Sequence, residues 1–463
     1  MKEEHKEVVM KVMKFGGGCL KDSRHFMRVT EIIASEKERT VAVISAIHGA
    51  TDMLVGAIQT AMKSEKSVSE FIRTFQNKHE MIADEVLRDT RLKRGLIENI
   101  RSKIEKMGRL MYGISYTEEI TESVKAHILS YGERLSILIL SALIKEKNKE
   151  SIPLEADKIG IITDKSFDNA TALLPQVRKN LAQCVLPVVN TGIVPVITGY
   201  FGCTVEGKIT TFGRNGSDYC AAVIADGIDA SRLEIWKDVD GFMSADPRIV
   251  KDAKNIDRLS YYEAAELSYF GAKILYPRTV EPLIKKDIPL HIKNIYCPER
   301  EGTVIRNGSY ERTKIVKSIT YNREISVLRI HGPGVGYKPG IIAEIGRILS
   351  DTGINIYSVI TSQTCINLLL DLSDSRRSYE ALKKLAGGVI ERIDREGNIA
   401  LIAVVGNGLL KSKGVAAKVF SAVAEEKINV EMISSGASEV AYYFIVQKKD
   451  LDSAVRAVHR EFF

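Results

Sequence analysis

No CxxC pair occurs anywhere in this sequence, and its six cysteines (Cys19, Cys184, Cys203, Cys220, Cys297 and Cys365) are scattered over 463 residues. That argues against a disulfide framework, and a chain this long needs no staples. Reduced thiols in a cytoplasmic protein are expected. No run of about 18 apolar residues is present, so no membrane span is expected. The N-terminus, MKEEHKEVVMKVMKFGGG, carries charge throughout and holds no apolar stretch long enough for a signal peptide. Nor is there a block of one charge. The net charge is +7, but the densest basic stretch, Arg91 to Arg109, is interrupted by Glu98 and Glu105. It reads as a solvated helix face, and no nucleic-acid partner is expected. GxxxxGK[ST] is missing, which excludes a Walker A loop. No metal site built by the protein itself is expected.

What is present is an ordinary globular composition, 45% hydrophobic and 27% charged. The length exceeds what one core usually supports, so two or three domains are expected. Val8 to Phe15 reads as a buried strand running into Gly16-Gly17-Gly18 and a helix from about Asp22 to Ser35. Thr40 to Ser45 is a second strand, followed by Gly49 and another helix. Strand, glycine turn, helix, strand marks an α/β fold with a mostly parallel sheet. Residues 67–147 read as a helical insertion, whose last helix, about 133–147, is apolar nearly all round and should be buried. Strands are expected again at 152–154, 161–163, 194–198 and 233–237, with a hairpin through 204–211. Ile288 to Ile292 should be the last strand of this half.

Composition turns polar around 299–313, a domain boundary. Beyond it lies a weak internal repeat. Ile325 to Ile330, a glycine loop, a helix from Gly340 to Ser350 and Gly353-Ile354-Asn355-Ile356 form one unit. Ile399 to Val405, a glycine loop, a helix from Gly414 to Glu425 and Lys427-Ile428-Asn429-Val430 form the other. Each continues into a Ser- or Thr-containing turn and a further strand. Paired α+β modules of strand–helix–strand–strand are expected.

The chemistry-bearing residues cluster at turns. Lys14 stands at a strand end before glycines whose N–H groups can approach a phosphate at a helix start. Phe212-Gly213-Arg214-Asn215-Gly216-Ser217-Asp218 is a second glycine-rich turn leading into a helix; a helix cap alone needs no such set of Arg, Gly and Asp. Lys237-Asp238-Val239-Asp240-Gly241 follows a strand end, where α/β sheets bind ligands. Phe270-Gly271-Ala272-Lys273 adds a lysine at a glycine turn, and Glu133 opens the apolar helix.

In this order the motifs resemble those of the aspartate kinases, members of the amino-acid kinase family. KFGG at Lys14–Gly17, VISAIHGATDML at Val43–Leu54, YGER at Tyr131–Arg134, FGRNGSD at Phe212–Asp218, KDVDGFMSADPR at Lys237–Arg248 and FGAKILYPRT at Phe270–Thr279 carry the likeness. The repeat is similar to tandem ACT modules, ferredoxin-like α+β units that bind allosteric amino acids. The resemblance implies an amino-acid kinase domain at 8–305 and ACT modules at 315–392 and 393–463, with residues about 310–325 as a candidate to complete the second. It implies transfer of the ATP γ-phosphoryl group to the β-carboxylate of L-aspartate, with Mg²⁺ held mainly by the phosphates. Lys14 would neutralise the transferring phosphoryl group, Gly16 and Gly17 would donate to it, and Asp218 would orient Lys14. Ser45, Thr51, Glu133, Tyr200, Arg214 and Ser217 would surround aspartate. Lys237, Asp238, Asp240, Met243, Arg248 and Lys273 would lie against the nucleotide. Gly340, Asn355, Ile356, Gln363, Asn429 and Val430 would form the effector sites. A homodimer or homotetramer through ACT pairing is implied, and no fused homoserine dehydrogenase is expected past Phe463.

The physics agrees. An aspartate side chain, with a pKa near ~3.9, is already an anionic nucleophile at neutral pH, so no general base is needed. The obstacle is repulsion between two anions, which cations and backbone donors relieve. Several positions depart from the family pattern. Gly18-Cys19 stands where Thr-Ser is usual, Asn215 where glycine is, Lys237 where threonine is common and Met243 where tyrosine often lies. Tyr357 occupies a position where lysine-inhibited relatives carry aspartate. The alternative reading is an amino-acid-sensing paralogue with weak or lost kinase activity. Gly18-Cys19 favours it; Lys14, Asp218 and Lys273 count against it. A glutamate kinase is disfavoured by Glu133 in its helical insertion and by the ACT modules.

Overall fold

The computed structural model describes residues 9–308 and 315–463. Val8, counted above in the first strand and the kinase domain, and residues 310–314 of the candidate completing segment lie outside them. The chain divides into two compact units. The first runs up to Phe242 and adds Asn255–Ala265 and Ile274–Gly308; the second holds Met243–Lys254, Glu266–Lys273 and the chain from residue 315 onward. Segments 243–254 and 266–273 fall inside the region 8–305 expected to be catalytic, yet they group with the C-terminal unit.

In chain order the first unit begins with β1 (Met10–Phe15), α1 (Ser23–Ser35), β2 (Arg39–Ile44) and α2 (Ala50–Ala61). The helices α3 (Glu65–Val86), α4 (Thr90–Thr117), α5 (Glu122–Leu129) and α6 (Tyr131–Glu146) follow. Then come β3 (Ser151–Leu154), α7 (Leu174–Cys184), α8 (Leu186–Asn190), β4 (Val194–Thr198), β5 (Phe201–Cys203), β6 (Ile209–Thr211), α9 (Gly216–Gly227) and β7 (Arg232–Lys237). Last are β8 (Arg258–Leu259), α10 (Tyr261–Tyr269), whose residues from Glu266 on group with the second unit, α11 (Glu281–Ile284), β9 (Leu290–Asn294) and β10 (Thr303–Ile305).

One eight-stranded sheet, ordered β3-β4-β2-β1-β7-β9-β10-β8, organises the unit. Every neighbouring pair is parallel except β9 with β10. A strand covered on both faces must be apolar along its length, and β1 is buried from Lys11 to Phe15. Its two lysines are tolerated because they are paired. Lys11 Nζ lies 2.8 Å from Glu36 and 3.0 Å from Glu234, and Lys14 pairs with Asp218. The helical insertion is present, and α6 is buried nearly all round, as its apolar sequence requires. By length and composition the stretch Glu122–Glu146 could cross a membrane, which the sequence reading did not anticipate, but 83% of its most apolar window is buried inside this unit. It is a core helix. The strand expected at 161–163 is reduced to isolated bridges, Ile162 to Cys203 and Thr163 to Ala172. Gly160, at φ +77°, turns the chain immediately before it, and the two bridges run to different partners, one parallel and one antiparallel.

The second unit carries two four-stranded sheets. Its elements are β11 (Ser318–Asn322), β12 (Ile325–His331), α12 (Ile341–Asp351), β13 (Ser358–Thr361), β14 (Cys365–Asp371), α13 (Ser375–Leu382) and β15 (Arg392–Glu396). They continue with β16 (Ile399–Val405), α14 (Val415–Glu425), β17 (Met432–Ser434), β18 (Ala441–Gln447) and α15 (Leu451–Phe462). The sheets run β13-β14-β12-β15 and β11-β16-β18-β17, antiparallel throughout. β11, at the start of the stretch 315–392 expected as the first module, pairs with β16 of the second, and β15, which crosses the expected 392/393 boundary, pairs with β12 of the first. The strands expected at 353–356 and 427–430 begin later, as β13 and β17. Gly353 (φ +66°) and Lys427 (φ +58°) stop the preceding helices in left-handed conformations, and pairing starts only once the chain has turned back.

Candidate active site

The first unit gathers many of the expected site residues at the C-terminal ends of β1, β2, β4 and β7. β1 ends in Lys14-Phe15. Gly16 stays extended, and Gly17 to Cys19 make one tight turn before α1, whose N-cap Asp22 accepts from the His25 N–H. Lys14 is only 4% exposed and pairs with Asp218 in the first turn of α9. The other Asp218 oxygen lies 3.4 Å from the Lys237 ammonium at the end of β7. Burial alone would raise the Asp218 carboxyl; Lys14 and then Lys237 outweigh it and hold the group below its ordinary value. One buried carboxylate thus tethers two ammonium groups beside the glycine turn. The cluster as a whole is cationic.

The neighbouring loop after β2 touches both the glycine turn and the start of α6. A Cβ on Gly17 would stand 3.3 Å from the Ala46 carbonyl, and one on Gly132 only 2.7 Å from the Ala46 Cβ. Gly132 is therefore the residue that lets α6 seat its first turn against this loop. Glu133, 2% exposed, then accepts from the Ala46 N–H at 3.0 Å. Its second oxygen is buried with no hydrogen-bond partner. Burial pushes this carboxyl up to about 8. A buried, unpaired carboxylate is costly, and a cationic ligand is what would complete it.

Around it, Ser45 donates its N–H to the Phe15 carbonyl at 3.2 Å, and Thr51 lies in the first turn of α2 after Gly49, which is left-handed. Tyr200 is half-buried at φ +71°; burial first, then Glu133, push its hydroxyl up to about 12. Ser217 packs where a Cβ on Gly199 would come within 2.8 Å of its own. Asn215 adopts φ +58° as the N-cap of α9, a conformation asparagine tolerates among non-glycine residues, so it serves where glycine is usual. Arg214 is exposed on the same turn. The buried Cys19 thiol donates to the Trp236 carbonyl at 3.1 Å, and burial, only partly offset by Lys14, pushes its pKa up to about 11.

Asp238 is exposed, pairs with Lys21 at 3.1 Å, and flanks Gly18. Asp240 accepts from Asn294 at 2.8 Å and pairs with Arg300 at 3.2 Å. Met243, Arg248 and Lys273 do not join this cluster within one unit; all three belong to the second unit. There Arg248 grips Asp246, which also accepts from the Tyr321 hydroxyl at 2.8 Å. Lys273 is exposed beside Gly271, where any Cβ would collide with the Tyr321 carbonyl. The expected effector residues fall at matching places in the two modules. Gly340 caps α12 at φ +91°, Asn355 and Ile356 precede edge strand β13, and Gln363 lies in the β13–β14 turn. Asn429 and Val430 precede edge strand β17. Tyr357 is half-buried, and its carbonyl accepts from the Tyr269 hydroxyl at 3.3 Å. Among the described residues no group of three His, Cys, Asp or Glu side chains could hold a metal ion.

Two participants escaped the sequence reading. Ala46 acts through its backbone, which no residue type betrays. Arg134 is a charge inside a helix apolar nearly all round, and that anomaly could have exposed it.

Residues 10–294 match the amino acid kinase family, and residues 320–384 and 402–462 each match an ACT domain. The chain is 32% identical to the chloroplastic aspartokinase 2 of Arabidopsis thaliana, over 98% of this chain and 84% of that protein. The chain belongs to the aspartokinase family. The E. coli aspartokinase III structure in complex with aspartate and ADP (R-state) superposes with a TM-score of 0.85 at 29% identity, covering 98% of this chain and 100% of that one. The form with lysine and aspartate (T-state) gives 0.82 at 29% identity, covering 98% and 99%. The fold expected from the motifs, an amino-acid kinase sheet followed by ACT modules, is the fold found.

Proposed function

We propose that this aspartokinase uses the Lys14 cluster and the Glu133 pocket to transfer the γ-phosphoryl group of ATP to the β-carboxylate of L-aspartate, giving 4-phospho-L-aspartate. That is the first step toward lysine, threonine and methionine. The observation that carries the assignment of roles is the Ala46 loop, which contacts both the glycine turn beside Lys14 and the buried carboxylate of Glu133. A cation for phosphate and an anion for an ammonium thus share one wall.

In this reading Glu133 pairs with the α-ammonium of aspartate and Arg214 grips its α-carboxylate bidentately. Ser45, Thr51, Tyr200 and Ser217 line the same pocket. A β-carboxylate oxygen attacks the γ-phosphorus as the bond to the bridging oxygen of ADP breaks. Lys14, oriented by Asp218, and the N–H groups of Gly16 and Gly17 neutralise the charge on the transferring group. ATP brings its own Mg²⁺. Lys237, Asp238 and Asp240 are assigned to the nucleotide side. The Cys19 thiol makes a bond to Trp236 that a serine hydroxyl could make equally, so its presence does not by itself favour a non-catalytic paralogue. Trapping the acyl phosphate with hydroxylamine in the presence of ATP and aspartate tests the assignment; no product with aspartate, or equal product with glutamate, would refute it.

The ACT region is assigned a neutral amino-acid effector, threonine ahead of lysine, because Tyr357 offers no carboxylate to an ammonium. Edge strands β13 and β17 expose Val359 and Ile433, which supports a homodimer or homotetramer. A cytoplasmic location accords with the reduced cysteines.

A further inference from the structure

The geometry points to Arg134 as the positioning residue of the aspartate subsite, an inference that rests on Glu133 and Tyr200 holding aspartate. Arg134 is buried, 4% exposed, one residue past Glu133. Its Nε donates to Ser130 Oγ at 2.9 Å, and Nη1 donates to Glu155. Nη2 lies 3.0 Å from Asp157 Oδ1, and the guanidinium sits 4.7 Å from the centre of the Phe201 ring. Each partner belongs to a different piece of the pocket wall. Ser130 and Arg134 flank the helix start that aims Glu133. Glu155 and Asp157 are in the loop after β3. Between them, the Ala156 N–H donates to Thr198 Oγ1 at 2.8 Å, tying that loop to the end of β4. Phe201 follows Tyr200, the left-handed residue. Glu155 also pairs with Lys103 of α4, so the same carboxylate anchors the helical insertion.

One planar cation therefore joins three segments that are remote in sequence and that carry or adjoin two of the proposed aspartate contacts, Glu133 and Tyr200. A guanidinium can donate along several directions in one plane and stack at the same time. An ammonium is a point donor and cannot replace it. Loosening this joint should let Glu133 and Tyr200 drift, and small misplacements of substrate-positioning groups weaken binding steeply. The phosphoryl end should be spared, since Lys14, Asp218 and Lys237 make no contact with Arg134.

The test compares Arg134→Lys, Glu155→Gln and Lys158→Ala with the parent enzyme in steady-state kinetics. Lys158 is an exposed partner of Asp157 at 3.5 Å and serves as a control. Arg134→Lys is expected to raise the aspartate KM at least about tenfold while kcat and the ATP KM stay within about twofold. Glu155→Gln should shift the aspartate KM in the same direction, and it decides the matter if Arg134→Lys does not fold. Lys158→Ala should change nothing. Unchanged aspartate KM in a folded Arg134→Lys or Glu155→Gln, or equal losses in kcat and both KM values, would overturn the inference. Glu133→Gln is measured alongside. If it too leaves the aspartate KM unchanged, the pocket assignment itself has failed; if it alone raises that KM, only the role of Arg134 has.

Discussion

Replacing Glu133 by glutamine should push stability and substrate affinity in opposite directions. Burial raises this carboxyl from an ordinary 4.5 to about 8. At about 1.36 kcal/mol per tenfold change in the equilibrium, that corresponds to at most roughly 5 kcal/mol against the ionised form. The unfolded chain ionises this residue near pH 4.5 and the folded chain only near 8, so between those values the folded state holds the extra proton. Stability from this group is fully present below pH 4.5 and is lost as pH rises through about 8. Glutamine does not titrate. Its amide oxygen can keep the bond from Ala46, while its amide nitrogen occupies the place where Oε2 now has no partner, at a cost of about 1–3 kcal/mol. At pH 9 without ligands the variant should therefore be more stable than the parent by roughly 2–4 kcal/mol, an advantage that shrinks toward pH 6. Its aspartate KM should rise about a hundredfold, because the ammonium meets no charge, with the ATP KM nearly unchanged. Thermal midpoints at pH 6 and 9, and kinetics in each substrate, check both halves. A variant less stable than the parent at pH 9, or an ATP KM raised as much as that of aspartate, would show that Glu133 belongs to the fold and not to the pocket.

Lys14→Ala and Asp218→Ala should each lower kcat at least about a hundredfold at saturating ATP and aspartate, with circular dichroism unchanged; near-normal kcat in either would dismantle the phosphoryl-site assignment. Lys237→Thr should lower kcat about tenfold and leave the aspartate KM alone, since Asp218 keeps Lys14 but the cluster loses its excess positive charge; an unaltered kcat would make Lys237 a bystander. Threonine should inhibit the enzyme more strongly than lysine, inhibition should weaken when the segment 354–363 is altered, and the particle should be at least a dimer by light scattering at micromolar concentration. Strong lysine inhibition without a threonine effect would defeat the specificity argument, and a monomer the pairing argument.

The sequence made legible whatever depends on local pattern. β1 could be read because a strand buried on both faces has to be apolar, and α6 because a helix apolar all round has nowhere to go but the core. Lys14 and Asp218 were legible as motif residues and prove to be partners across 204 positions (218 − 14). Less visible was whatever depends on where the chain stops turning. Gly353 and Lys427 hold left-handed conformations that delay both edge strands, and the alternation in Ile354-Asn355-Ile356 and Ile428-Asn429-Val430 reads as strand all the same. The grouping of segments 243–254 and 266–273 with the C-terminal unit is a property of tertiary contacts such as Tyr321 to Asp246, which join positions far apart in sequence. Arg134 was hidden for a related reason. Its partners Glu155, Asp157 and Phe201 come from two other segments, and only their convergence separates it from an incidental charge.

The proposed site sets charges of opposite sign close together. Lys14 and Lys237 share Asp218, so the glycine turn presents a net positive cluster to a polyphosphate. An ionised Glu133 on the same wall would oppose that attraction. Burial favours its neutral form, which would spare a bound polyphosphate that repulsion. In the proposed function the ammonium of aspartate would supply the partner that ionisation requires. On that reading the burial that makes Glu133 a liability to the fold also withholds its negative charge from the phosphate side.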